Sequence, residues 1–194
     1  MSEHHITRIP FEHPELLGYP LQSHRVIAFK WGDPGGISDL VIFPKSGPQL
    51  VAIVEVKRSA ADEGGGASDS HAQVVGQVLK YYVQARSWTV EGIERLRHQL
   101  EAGCSGHSGC SSHKKSPMRI LECRSQAEAK GILCQAGTVL RPDQIGLHIV
   151  VNKPTPAMVK RLFPICDVLR KDHRLNISVW QAKPWAQLCS ASRV

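Results

Sequence analysis

The string SDLVIFPKSGPQLVAIVEVK, residues 38–57, reads as a β-hairpin with three ionisable residues on otherwise apolar strands. A first strand over 37–43 has Asp39 near its start. Pro44, Gly47 and Pro48 frame the turn, where glycine supplies a positive φ and each proline a fixed one. The second strand, over 50–57, is a β-branched run ending in Glu55, Val56 and Lys57. Side chains alternate between the two faces of a strand, so Glu55 and Lys57 point the same way, about 7 Å apart along the chain.

Ionisable groups are rarely placed in strands this apolar unless something pairs with them. Asp39 and Glu55 lie on neighbouring strands and can meet across the pair. Two carboxylates brought together repel unless a cation stands between them. A hard divalent cation such as Mg²⁺ answers that need, since it takes oxygen ligands and keeps several waters. Lys57 beside it can orient a water or offset charge on a phosphate. The plainer alternative is an exposed salt bridge of Lys57 with Glu55 or Asp39 on a strand edge.

After a Gly-rich loop over 60–70 comes HAQVVGQVLKYYVQAR, residues 71–86. Val74, Val75, Val78, Leu79, Tyr82 and Val83 recur at helical spacing, which predicts an amphipathic helix. Gln77 and Tyr81 are four apart and share one of its faces. A helix returning from the Glu-Val-Lys strand can lay Gln77 against that site with Tyr81 behind it. Taken singly, the two residues are also compatible with an ordinary polar helix face.

Asp39, then Glu55-Val56-Lys57, then Gln77 and Tyr81 in a Q-x-x-x-Y frame, resembles the PD-(D/E)xK nuclease superfamily in its RecB-like form. The nearer resemblance is to the nuclease domain of NucS/EndoMS mismatch endonucleases. It rests on PELLG at 14–18, GGISDL at 35–40, VEVKR at 54–58 and GQVLKYY at 76–82, which together span roughly the first 90 residues. The resemblance implies a restriction-endonuclease-like α/β core and hydrolysis of phosphodiester bonds, with DNA as the expected substrate. It implies Asp39 and Glu55 as ligands of Mg²⁺, or of Mn²⁺ in its place, with the Val56 carbonyl as a third. Lys57 would position the attacking water, and Gln77 and Tyr81 would support it. Many members carry a further acidic ligand upstream of the Asp, for which Glu15 is the leading candidate, ahead of Glu12 and Glu3. Pro10, Pro14 and Pro20 interrupt any long helix there, so the chain departs from the family pattern at this point. The separate DNA-binding and dimerisation domain of NucS/EndoMS has no counterpart in these 194 residues, so mismatch specificity does not carry over.

A chain of 194 residues has room for one domain with a real core. The expectation is a single domain over 1–194, α/β, with a mixed central sheet flanked by helices. No apolar run reaches the length of a membrane span, and the N-terminus MSEHHIT has no secretory core, so a cytoplasmic protein is expected. A net charge of +7 suits a nucleic-acid partner without specifying one. A homodimer or a separate targeting protein is the further partner to be weighed.

Outside the hairpin, strands are expected over 25–31, 118–123, 145–151 and 175–180. Helices are expected over 90–101, 126–133 and 156–170, the last split or kinked by Pro164. His148, in the middle of its strand, is read as a satisfied core residue. Residues 103–117, GCSGHSGCSSHKKSP, read as a flexible Gly/Ser insertion. Cys104, His107, Cys110 and His113 are zinc-type ligands, but four within ten residues is too tight for a usual zinc module, so zinc there is not expected. The six cysteines are read as reduced thiols. Two other readings stand beside the nuclease: a catalytically silent nucleic-acid-binding module on the same fold, and a zinc-binding interaction protein.

Overall fold

The computed structural model describes residues 6, 9–10, 13–19, 24–29, 32–33, 36–44, 46–57, 71–103, 119–120, 126–152, 154, 156–182 and 185–189. The Cys104, His107, Cys110 and His113 stretch lies outside them, as do Glu3 and Glu12.

Alternation along the second hairpin strand builds the whole molecule. In β5 (Val51–Lys57), Val51 and Ile53 enter one apolar cluster, while Ala52, Val54 and Val56 enter another on the opposite face. Every residue of this strand is buried, as a strand covered on both faces must be. Its neighbour β4 (Leu40–Pro44) divides the same way, Val41 and Phe43 to the first cluster and Leu40 and Ile42 to the second.

The other strands are β1 (His24–Phe29), β2 (Gly32–Asp33), β3 (Gly36–Ile37), β6 (Arg119–Ile120), β7 (Ile145–Val151), β8 (Asn176–Ala182) and β9 (Trp185–Cys189). Among the described residues, seven strands form one sheet in the order β6-β1-β4-β5-β7-β8-β9, and β2 and β3 form a small hairpin of their own. β1, β4 and β5 are an antiparallel meander, β5, β7 and β8 run parallel, and β9 returns antiparallel. The fold is α/β with a mixed sheet.

Four helices supply apolar side chains to the first cluster: α1 (His71–Ala85), α2 (Val90–Gly103), α3 (Gln126–Leu133) and α4 (Pro156–Lys171). α1 contributes Val74, Val75, Val78, Tyr81 and Ala85 and packs on β5 and β7; of the stripe that the spacing predicts, Leu79 and Tyr82 are only partly buried and Val83 is exposed, because Tyr81 and Ala85 turn inward instead. On the second cluster pack Ile6, Ile9, Leu17 and Tyr19 of the N-terminal segment.

Several expectations need correction. The strand expected over 37–43 breaks at Ser38 and Asp39, so Asp39 lies between β3 and β4 rather than inside a strand. Pro164 does not split its helix: α4 runs unbroken from Pro156 to Lys171 with Leu162 and Cys166 buried. Packing on β8 outweighs the one backbone bond that the proline removes. The strand expected over 175–180 is not the last, because β9 pairs outside it.

Candidate active site

The break before β4 shapes the site. Pairing of β4 with β5 starts at Leu40 opposite Val54, so the next peptide of β5 has no strand partner on that side. The Asp39 carboxylate takes its place: Oδ2 accepts the Val56 N–H at 2.8 Å. On the other side of β5, the Lys57 carbonyl accepts the Asn152 N–H at 3.1 Å, just past the end of β7. Peptide groups of an extended strand face its two neighbours alternately. The Val56 carbonyl is therefore on the side where Asp39 sits.

Glu55 and Lys57 share the helix-covered face, as alternation requires, and form an ion pair of 3.0 Å, Nζ to Oε1. The pair is not an exposed one: Glu55 is 3% and Lys57 9% exposed. Taking two charges out of water costs several kcal/mol per ion, about what their attraction returns, so the pair is no gain in stability over apolar residues.

Tyr81 completes the roof. It is buried, and burial first, then the charges of Glu55 and Asp39, push its hydroxyl well above its ordinary range. Both carboxylates thus act on one phenol, which stays protonated. Gln77 lies one helical turn away, a rise of about 6 Å, close to the roughly 7 Å from Glu55 to Lys57. Its buried amide oxygen has no hydrogen-bond partner among the described residues. Asp39, Glu55, Val56, Lys57 and Tyr81 are therefore brought together at the carboxyl end of β5, and Gln77 lies one turn of α1 from Tyr81.

Glu15 is not. It is exposed in the 3₁₀ turn Pro14–Leu17, its carboxylate 3.0 Å from His13 Nδ1, and the Leu17 of that turn packs on the opposite face of the sheet. Among the described residues no three Asp, Glu, His or Cys side chains gather at one point. The oxygen donors are two carboxylates and one carbonyl, a set that suits Mg²⁺, which is commonly held by one or two carboxylates and its own waters.

The opposite face holds a second polar arrangement. His148 is a satisfied core residue, as its place in a strand suggests, and its partners are specific. The Tyr19 hydroxyl donates to Gln49 Oε1, so it accepts from His148 Nε2 at 2.8 Å. His148 Nδ1 is then the acceptor, 2.7 Å from Ser178 Oγ. The Trp180 indole N–H donates to both Ser178 Oγ at 2.8 Å and His148 Nδ1 at 3.1 Å. The S-V-W frame of β8, with Ser178 and Trp180 two apart and so on one face, is the sequence signal for this cluster, although nothing in sequence brings Tyr19 to it.

A shallow groove on the outer side of α1, lined by Gly76, Leu79, Lys80, Val83 and Gln84, includes none of these residues. Among the described residues no helix is long and apolar enough to cross a membrane. No family model matches the chain, and neither a curated protein nor a solved structure is significantly similar to it.

Proposed function

We propose that the chain is a divalent-metal-dependent nuclease of the PD-(D/E)xK kind, with a restriction-endonuclease-like core, hydrolysing phosphodiester bonds in DNA. The observation that carries this reading is the buried Glu55–Lys57 pair set beside the Asp39 carboxylate under Tyr81. Such a group of ionisable side chains costs stability, and its retention at the end of a central strand is best explained by chemistry.

Asp39, Glu55 and the Val56 carbonyl would hold Mg²⁺ or Mn²⁺. Bound there, the cation would polarise a phosphate oxygen and make a water more acidic. Lys57 supplies a fixed ammonium for charge that develops on the phosphate, and in this structure it neutralises Glu55. The Gln77 amide oxygen can accept a hydrogen bond from the attacking water and so orient it, and the Tyr81 hydroxyl can donate to a carboxylate or phosphate oxygen. A net charge of +7 favours association with a polyanion.

The test is cleavage of labelled single-stranded and duplex DNA with Mg²⁺ or Mn²⁺, comparing wild type with Asp39→Asn, Glu55→Gln and Lys57→Met. These replacements keep shape while removing charge. Metal-dependent cutting should fall by about a hundredfold or more in each. Cutting that survives in all three would sink the assignment. Unaltered DNA binding with no cutting by any of the four proteins would instead leave a binding module.

A further inference from the structure

The second face of the sheet is closed differently from the first, and its polar groups are joined in one direction. Trp180 donates to Ser178, Ser178 to His148, His148 to Tyr19 and Tyr19 to Gln49. The chain crosses from β8 through β7 to the N-terminal segment and ends at the residue before Leu50, which leads into β5. Each hydroxyl and ring nitrogen in it finds its proper role only if His148 is neutral and carries its proton on Nε2.

We propose that the N-terminal segment is an acid-released cover of this face, latched by Tyr19 to His148 and Gln49. The inference does not rest on the nuclease reading.

A proton added to His148 goes to Nδ1, which faces the Trp180 N–H at 3.1 Å, so two donors would oppose each other. Nδ1 would become a donor toward Ser178 Oγ, which already receives the Trp180 N–H, and the serine would have to turn its own hydrogen away. The groups facing the imidazole are Tyr19 and Gln49 from the cover side and Ser178 and Trp180 from β8; among the described residues none of them is an acid. Burial holds His148 down to about 3. The cationic ring must therefore reach water. β7 is paired on both sides, to β5 and to β8, and cannot move aside cheaply. Tyr19 is the movable partner, because it comes from outside the sheet and stands edge-on to the imidazole with ring centroids 5.5 Å apart. Lifting it, with Leu17 and Ile6, hydrates the ring and uncovers Leu40, Ile42, Val54 and Val56.

Amide hydrogen exchange of the full chain, read by mass spectrometry from about pH 7.5 to about pH 4.5 and normalised to an unstructured reference peptide, tests this. Exchange in peptides covering residues 6–19 should rise about tenfold for each pH unit below about 6.5, while peptides from α1 and α2 hold level. His148→Leu should abolish that slope. Tyr19→Phe, which keeps the ring and loses the latch, should raise exchange of the same peptides about fivefold or more at neutral pH. If His148→Leu fails to fold, the slope in wild type and its confinement to the cover still decide. A slope shared equally by all regions, no slope, or an undiminished slope in His148→Leu would overturn the proposal.

Discussion

The two faces of the sheet bury polar groups by opposite means. On the helix-covered face, β5 presents Glu55 and Lys57 as a pair of full charges, with Asp39 and Tyr81 beside them. On the other face, His148 of β7 and Ser178 and Trp180 of β8 are joined as neutral donors and acceptors. The same alternation of side chains produces both. A neutral relay costs little to bury once each group is matched, whereas an ion pair is near break-even while intact and expensive when half of it is removed. Cost of removal, rather than burial, therefore separates the charged face from the neutral one.

Removing half of the pair should give the largest effect. Glu55→Ala leaves the Lys57 ammonium buried with its main partner gone, and should destabilise the fold by about 3–5 kcal/mol in urea unfolding. Replacing both, as Glu55→Leu with Lys57→Met, should restore stability to about that of wild type or above it. A cost below about 1 kcal/mol for Glu55→Ala would place the pair with exposed salt bridges and erase the contrast.

Acid should find the other face next. The folded His148 titrates near 3, below the roughly 6.5 of an unfolded histidine. The unfolded chain takes up its proton first, so this contribution is fully present above about pH 6.5 and is lost as pH falls toward 3. The slope is about 1.4 kcal/mol per unit, or about 3 kcal/mol by pH 4. Glu91, Asp143 and Asp167 are held below the usual carboxylate range, Glu91 by backbone hydrogen bonds, Asp143 by the Arg141 guanidinium and Asp167 by Lys171 and Arg170. Their contributions are present above about pH 4 and fade only below it. Set against those three carboxylates, the window between about pH 6.5 and pH 4.5 is that of His148, and pH-dependent urea unfolding of His148→Leu should lose about 1.4 kcal/mol per unit of the wild-type slope across it.

The hairpin and its helix were legible because one physical rule governed each. Period-two alternation put Glu55 and Lys57 on one face, and period-3.6 spacing put Val74, Val75 and Val78 on another element's inner stripe, although Tyr81 and Ala85 rather than Val83 complete it. Helix α3 and strand β7 keep the bounds that their patterns predict. What failed was what depends on partners far along the chain. The break at Asp39 is stabilised by the Val56 N–H, seventeen residues on, and a β-branched run gives no hint of it. Pro164 looks like a stop locally and is tolerated because the helix packs on β8. Glu15 was a reasonable acidic ligand by order alone, yet Leu17 and Tyr19 direct that segment to the opposite face.

Two glycines give the finest test of the contrast, since each carries one face's tolerance. At Gly146, on β7, an added Cβ would meet Gln49 Oε1 at 2.6 Å and the Tyr19 hydroxyl at 2.7 Å. Both are ends of side chains and can retreat, but only by leaving the relay, so Gly146→Ala should cost about 1–2 kcal/mol through lost hydrogen bonds. It should also loosen the cover in hydrogen exchange. At Gly76, exposed on the outside of α1, an added Cβ meets nothing within 4 Å. Gly76→Ala should therefore gain about 0.5–1 kcal/mol by restraining the unfolded chain and favouring helix. Equal effects at the two positions would mean that the second face is as forgiving as a helix surface, and that Tyr19 is not held there by its hydrogen bonds.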